Sequence, residues 1–205
     1  TIRKQAEKIF DNFGMRDFVR LDGWRLEDGR ILFTDLNPIS GMEQNSFLFQ
    51  QSSRIGMTHS QTLLHVIRSA CRRHGLKPPE IKQETTGQKK VHVIFGGNTA
   101  ERQVSVMSGT NVWLKLRESK SLTPSPFLLD KDGHVWKLPY AASLNHTVEE
   151  IIADCQSYKN NEERVKNWTS KARNALGIGK YEPQSPEQMT FTDFISMFKE
   201  EDAFV

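Results

Sequence analysis

The sequence predicts an α/β fold on three observations. A β-hairpin signature lies between Phe18 and Asp35, a strand, glycine turn and helix run from Val91 to Glu118, and a mostly helical stretch follows Thr147.

Ile2, Ala6, Ile9, Phe10 and Phe13 fall at helical spacing among basic residues, and Gly14 follows as a left-handed cap. Phe18 to Leu26 is rich in β-formers, Glu27-Asp28-Gly29 is a turn, and Arg30 to Asp35 is the returning arm. Leu36 to Asn45 carries Asn37, Pro38, Gly41 and Asn45 and reads as loop. Thr58 or Ser60 can cap a helix whose Leu63, Leu64, Ile67, Ala70 and Cys71 share one face, ending at His74-Gly75. Leu76 to Lys90, with Pro78-Pro79 and Thr85-Thr86-Gly87, has the composition of a linker, placed at 77–90 between units at 1–76 and 91–205. Strand Val91 to Phe95, turn Gly96-Gly97-Asn98 and a helix within Ala100 to Glu118 come next. Phe127-Leu128-Leu129 reads as a second strand, and Asp130-Lys131-Asp132-Gly133 turns into His134 to Leu138. Val148 to Tyr158, Asn161 to Ala175 and Phe191 to Phe198 predict helices, and Asp202 to Val205 reads as a strand just beginning.

At 205 residues with 37% hydrophobic side chains, a sizeable core is possible without disulfide staples. The mean hydropathy is -0.57, and no apolar run approaches the roughly 18 residues a spanning helix needs, so a soluble chain without a membrane partner is expected. Lys and Arg total 28 against 25 for Asp and Glu, and their even spread predicts no nucleic-acid partner. Cys71 and Cys155 sit in helical stretches without metal spacing, which fits buried thiols in a reducing, intracellular compartment. The sequence opens on Thr1 and is expected to be cut at both ends, so it does not decide between cytoplasm and plastid.

The hairpin carries the chemistry of interest. Alternation sends Arg20, Asp22, Trp24 and Leu26 to one side of the first arm, and Asp35 ends the second, with Asn37 two residues on. Two carboxylates and an amide oxygen are hard ligands of the kind magnesium takes beside phosphates, and Arg20 would suit a transferring phosphoryl group. Acids at hairpin ends are also commonly solvated turn formers, and spacing leaves both readings open. The turn Gly96-Gly97 has neither Gly-x-Gly-x-x-Gly nor Gly-Lys-Ser/Thr, so dinucleotide and P-loop mechanics do not apply.

Arg20-Leu21-Asp22, Asp28-Gly29, Asp35-Leu36-Asn37-Pro38-Ile39-Ser40-Gly41 and Ser46 together resemble the closing motif of the D-alanine-D-alanine ligases of the ATP-grasp superfamily. Val93 to Ser105, through Gly96-Gly97-Asn98-Thr99-Ala100-Glu101, with Ser108-Gly109 beyond, resembles the opening segment of the same family. The resemblance implies the C-terminal portion of an ATP-grasp domain followed by a Rossmann-like N-terminal ligase lobe. It implies Asp22, Asp35 and Asn37 as ligands of magnesium or manganese, and Arg20 as donor to the transferring phosphate. Gly41 and Ser46 would hold substrate, and Glu101 would anchor the ammonium of the first D-alanine, although by itself Glu101 reads equally as an ordinary acid in a first helical turn. ATP and D-alanine are the implied substrates, and the family's product belongs to peptidoglycan and the bacterial-type cell wall. Asp35 stands where the family has Glu, and Ser40 where it has proline.

The segments come in reverse order for a single ligase, which implies the end of an upstream copy and the beginning of a downstream one, similar to plant-type tandem fusions. The stretch from about 141 to 202 resembles an insertion of that type. The missing lobes of the parent chain, and a second copy in a homodimer, are the implied protein partners. The main expectation is an ATP-dependent ligase whose isolated fragment is inactive. A non-catalytic ligase-like unit is the alternative, and a ligase with a different acceptor would differ at residues 42 to 48.

Overall fold

Strand Lys89–Gly96 (β3) and strand Leu122–Leu129 (β4) are parallel neighbours joined by helix Arg102–Leu116 (α4), a βαβ unit of the kind that hydrophobic strand, glycine turn and helix dictate. A computed structural model describes residues 1–39, 41–80 and 89–205. Ser40 and most of the expected linker lie outside the described residues. Lys89 and Lys90, read as linker, instead begin β3.

Three further strands complete this sheet: His134–Lys137 (β5), Glu187–Thr190 (β6) and Ala203–Phe204 (β7). The order is β6-β5-β4-β3-β7, with β5 and β6 antiparallel additions and β7 parallel to β3. Its core gathers Val91, Val93 and Phe95 of β3, Val106 and Trp113 of α4, and Leu128 of β4. Gly109 on α4 lets that helix lie against β3, since a Cβ there would fall 2.5 Å from the Phe95 side chain.

Helix Val148–Leu176 (α5) starts in a capping box at Thr147 and Glu150 and ends at Gly177 in the left-handed region. It runs through the two helices expected separately, with non-helical backbone at Asn161 marking the break between them. Helix Phe191–Ser196 (α6) closes the second core cluster, where Phe194 meets Phe127 and Val135.

The first part of the chain is built differently. Helix Ile2–Asn12 (α1) buries none of its residues, and strands Arg20–Arg25 (β1) and Ile31–Asn37 (β2) form a separate two-stranded sheet. Leu36 and Asn37, read as loop, belong to β2. Helix Phe47–Arg54 (α2) was not foreseen, and helix His59–Arg73 (α3) follows with a capping box at Thr58 and Gln61. Cys71 is half-buried rather than buried; Cys155 is buried, and both are free thiols. No helix among the described residues is long and apolar enough to cross a membrane.

Candidate functional site

The β1–β2 register pairs Arg20 with Asn37, Leu21 with Leu36 and Asp22 with Asp35, then slips so that Gly23 opposes Phe33. The slip is a bulge at Thr34, which reverses the alternation of β2 at that point. Arg20, Asp22, Asp35 and Asn37 therefore share one face, while Leu21, Ile31, Phe33 and Leu36 share the other, half-buried one. Uninterrupted alternation along both arms, the expectation from sequence, could not have placed Phe33 and Leu36 together. A side chain at Gly23 would strike the Leu32 carbonyl at 2.4 Å, so the bulge needs glycine opposite it.

On the polar face the groups converge. Arg20 Nε donates to Asp22 Oδ2 at 3.1 Å, and Nη2 approaches the same oxygen at 3.1 Å. Asn37 Nδ2 donates to Asp35 Oδ2 at 2.8 Å and reaches Asp22 Oδ2 at 3.4 Å, and the Leu36 N–H donates to Asp35 Oδ1 at 2.8 Å. Two carboxylates thus meet around the Asn37 amide nitrogen with one guanidinium beside them, and only the carboxylate oxygens are hard ligands as the side chains stand. Among the described residues no three His, Cys, Asp or Glu side chains gather as a metal-holding group, so the set has two acids only.

Next to this face is a cavity of about 350 Å³ bordered by Arg20, Gly41, Glu43, Asn45, Ser46 and His146. Ser46 is the N-cap of α2, its backbone is extended, and its side chain caps no helix N–H. Its buried Oγ has no hydrogen-bond partner among the described residues, which leaves a donor and acceptor pair to be satisfied from the cavity. Arg20, Gly41 and Ser46 are thus brought together. Glu101, by contrast, caps α4 from an exposed position, makes no side-chain cap bond and does not line this cavity. Its neighbours fix the helix end: Arg102 and Gln103 hold the Glu149 carboxylate at 3.0 and 2.7 Å. That carboxylate lies below the usual range, chiefly through the backbone N–H at the start of α5 and then through Gln103 and Arg102.

Sequence reasoning missed the residues that join the two parts of the chain. His146 Nδ1 contacts Asn45 Nδ2 at 2.7 Å, and Gln50 Nε2 reaches the carbonyls of Asn45 and Leu144, both at 3.1 Å. His59 packs tilted against Phe49 at 4.1 Å between ring centroids, with Nε2 at 2.6 Å from the Gln44 carbonyl and Nδ1 against the Tyr140 hydroxyl. A carbonyl can only accept, so Nε2 carries the proton and Nδ1 accepts from Tyr140. Burial pushes the His59 pKa down against the pull of the Gln44 carbonyl, and nearby Arg117 adds to the lowering. Burial likewise pushes Tyr140 up. Arg117 lies 4.7 Å from the Tyr140 ring centre, and Arg54 pairs with Asp154 at 2.9 Å. The available signal was Ser46 followed by Phe47-Leu48-Phe49, a cap before an apolar turn.

The family model described as D-ala D-ala ligase N-terminus matches residues 90–196, just over half of the chain, and that described as D-ala D-ala ligase C-terminus matches residues 1–68. The chain belongs to the D-ala D-ala ligase family. No curated protein and no solved structure matches it. The match to the C-terminal model lies ahead of the match to the N-terminal model along this sequence.

Proposed function

We propose that this chain is part of a longer ATP-dependent carboxylate-amine ligase that joins two D-alanines. Within that protein, residues 1–76 would end an upstream ATP-grasp unit and residues 91–205 would open a downstream one. The observation that carries the reading is the shared face of Arg20, Asp22, Asp35 and Asn37, adjoining the cavity with the unsatisfied Ser46 hydroxyl.

In the proposed reaction a carboxylate oxygen of one D-alanine attacks the γ-phosphorus of ATP and ADP leaves. The amine of the second then attacks the acylphosphate carbonyl, phosphate departs and the amine proton is lost to solvent. Arg20 stabilises charge on the transferring phosphoryl group. Gly41 and Ser46 seat the second substrate, the Ser46 Oγ–H donating to its carboxylate, and Glu101 pairs with the ammonium of the first. Asp22, Asp35 and Asn37 would hold magnesium or manganese, with the Asn37 amide turned to present its oxygen. Such an ion neutralises charge on the phosphates when bound. Glu101 comes from the downstream unit and serves that unit's site.

A second reading, a ligase-like unit without turnover, is favoured by one contact: Asp35 Oδ1 is already occupied by the Leu36 N–H. Manganese titration monitored by paramagnetic broadening separates the two. Loss of the Asp22, Asp35 and Asn37 signals at stoichiometric metal, abolished in Asp35→Asn, is the expected result. Broadening spread evenly over surface carboxylates would overturn the metal-site reading.

A further inference from the structure

A second cavity, about 390 Å³, lies between the C-terminal end of α2 and the middle of α5. Its size falls within the roughly 300–1,000 Å³ of small-molecule sites. Tyr158, Trp168 and Tyr181 present aromatic surface to it, and Pro139, Pro183 and Val165 add apolar wall. The Cys155 thiol also borders it, with a pKa pushed up to about 12 by burial, so it contributes neutral surface and no nucleophile.

The wall is fastened from several sides. Residues 178 to 186 pass over it as a strap, with the Tyr158 hydroxyl donating to the Pro183 carbonyl at 3.2 Å and Lys166 pairing with Glu182 at 2.9 Å. Tyr181 lies on Gly56, where any Cβ would meet its ring at 2.4 Å, and the Arg173 guanidinium stands 5.4 Å from the centre of the same ring. The space is therefore held open by packed neighbours, and the break in α5 at Asn161 is part of its lining.

Its charges do not cancel. Arg54 is matched by Asp154 at 2.9 Å, but Arg164 has no ion-pair or hydrogen-bond partner among the described residues. One uncompensated guanidinium beside three aromatic rings favours a flat ligand with a single negative charge. We propose that this cavity binds a small planar aromatic monoanion, a carboxylate or sulfonate whose ring lies along Trp168 and Tyr158 and whose charge meets Arg164. The site is separate from the residues given to the ligase chemistry, since none of Arg20, Asp22, Asp35, Ser46 or Glu101 lines it.

The test uses the 205-residue chain with 2-naphthalenesulfonate as probe, followed by calorimetry and by the tryptophan indole signals in proton–nitrogen spectra. Saturable binding should shift the Trp168 signal and leave that of exposed Trp24 in place. Arg164→Gln should weaken binding at least tenfold, and uncharged 2-naphthalenemethanol should bind the native chain at least tenfold less tightly than the sulfonate. Ser157→Phe, from an exposed helical position on the cavity rim, should abolish binding while the core Trp113 and Trp136 signals stay in place. No shift at Trp168, equal binding of the uncharged probe, or an Arg164→Gln variant that binds like the native chain would each overturn the proposal.

Discussion

The hairpin end and the five-stranded lobe carry similar apolar side chains and treat them in opposite ways. Both core clusters draw all their buried residues from Val91 to Phe194, whereas α1, β1 and β2 contribute none. Ile2, Phe13, Trp24 and Leu32 are all about half or more exposed. α1 is amphipathic in sequence, yet its apolar stripe meets no core among the described residues. Periodicity therefore reports that a face is made for burial; it does not report that the same stretch of chain supplies the cover. The upstream part touches the lobe through α2 and α3, by Gln50, Arg54 and His59, and Phe49 packs beneath His59 at that junction.

The contrast can be broken at graded points. Trp113→Ala removes a side chain 1% exposed at the centre of the lobe and should cost about 4–5 kcal/mol in urea denaturation, enough to abolish a cooperative transition in a marginal domain. A cost below about 2 kcal/mol would show that the lobe core is not continuous. Phe49→Ala, at 3% exposure, should cost about 3 kcal/mol and, more tellingly, should shift the His59 ring signals as the upstream part loosens, with the lobe still folded.

A smaller effect is expected at the far edge of the sheet. The buried His92 Nε2 meets Asp202 Oδ2 at 2.9 Å, and that hydrogen bond is the main reason the Asp202 carboxyl lies below its usual range. A pKa lowered by folding stabilises above the unfolded value, near 3.9 for Asp, and the gain fades as pH falls through the folded value. Asp202→Asn should accordingly melt below the native chain at pH 7 and converge with it in acid. Parallel melting curves at every pH would refute the pairing. Least of all should follow from Leu32→Ser on the hairpin, within about 0.5 kcal/mol, and a loss several times larger would mean that this face is covered in solution.

Much of the fold was legible because period and punctuation agreed. The 3.6-residue pattern marked α1, α3 and both parts of α5, and Asp-Gly turns marked both hairpins. Elements whose stability comes from neighbours were not. β6 is the polar run Glu-Gln-Met-Thr, made a strand by pairing with β5, and β4 carries Pro124 and Pro126 ahead of Phe127, tolerated where β5 does not pair with it. α2 has only eight residues, too few to announce a period. At the candidate site, Arg20, Asp22, Asp35 and Asn37 stand together as local hairpin register required, and Gly41 and Ser46 share a cavity. His146 was invisible because it lies 101 positions from Asn45, and no local pattern encodes that meeting.

α2 is a short rod with one foot in each cavity. Ser46 stands at its beginning and borders the first, and Ser53 and Arg54 at its end border the second. Eight residues of helix span about 12 Å and resist bending, so a push at one foot arrives at the other as a tilt or a slide rather than dissipating. Drift in the strap around Tyr181 is for this reason not free of the hairpin. The packing of Tyr181 over Gly56 and the seat of the Ser46 hydroxyl are thus set from opposite ends of one eight-residue helix.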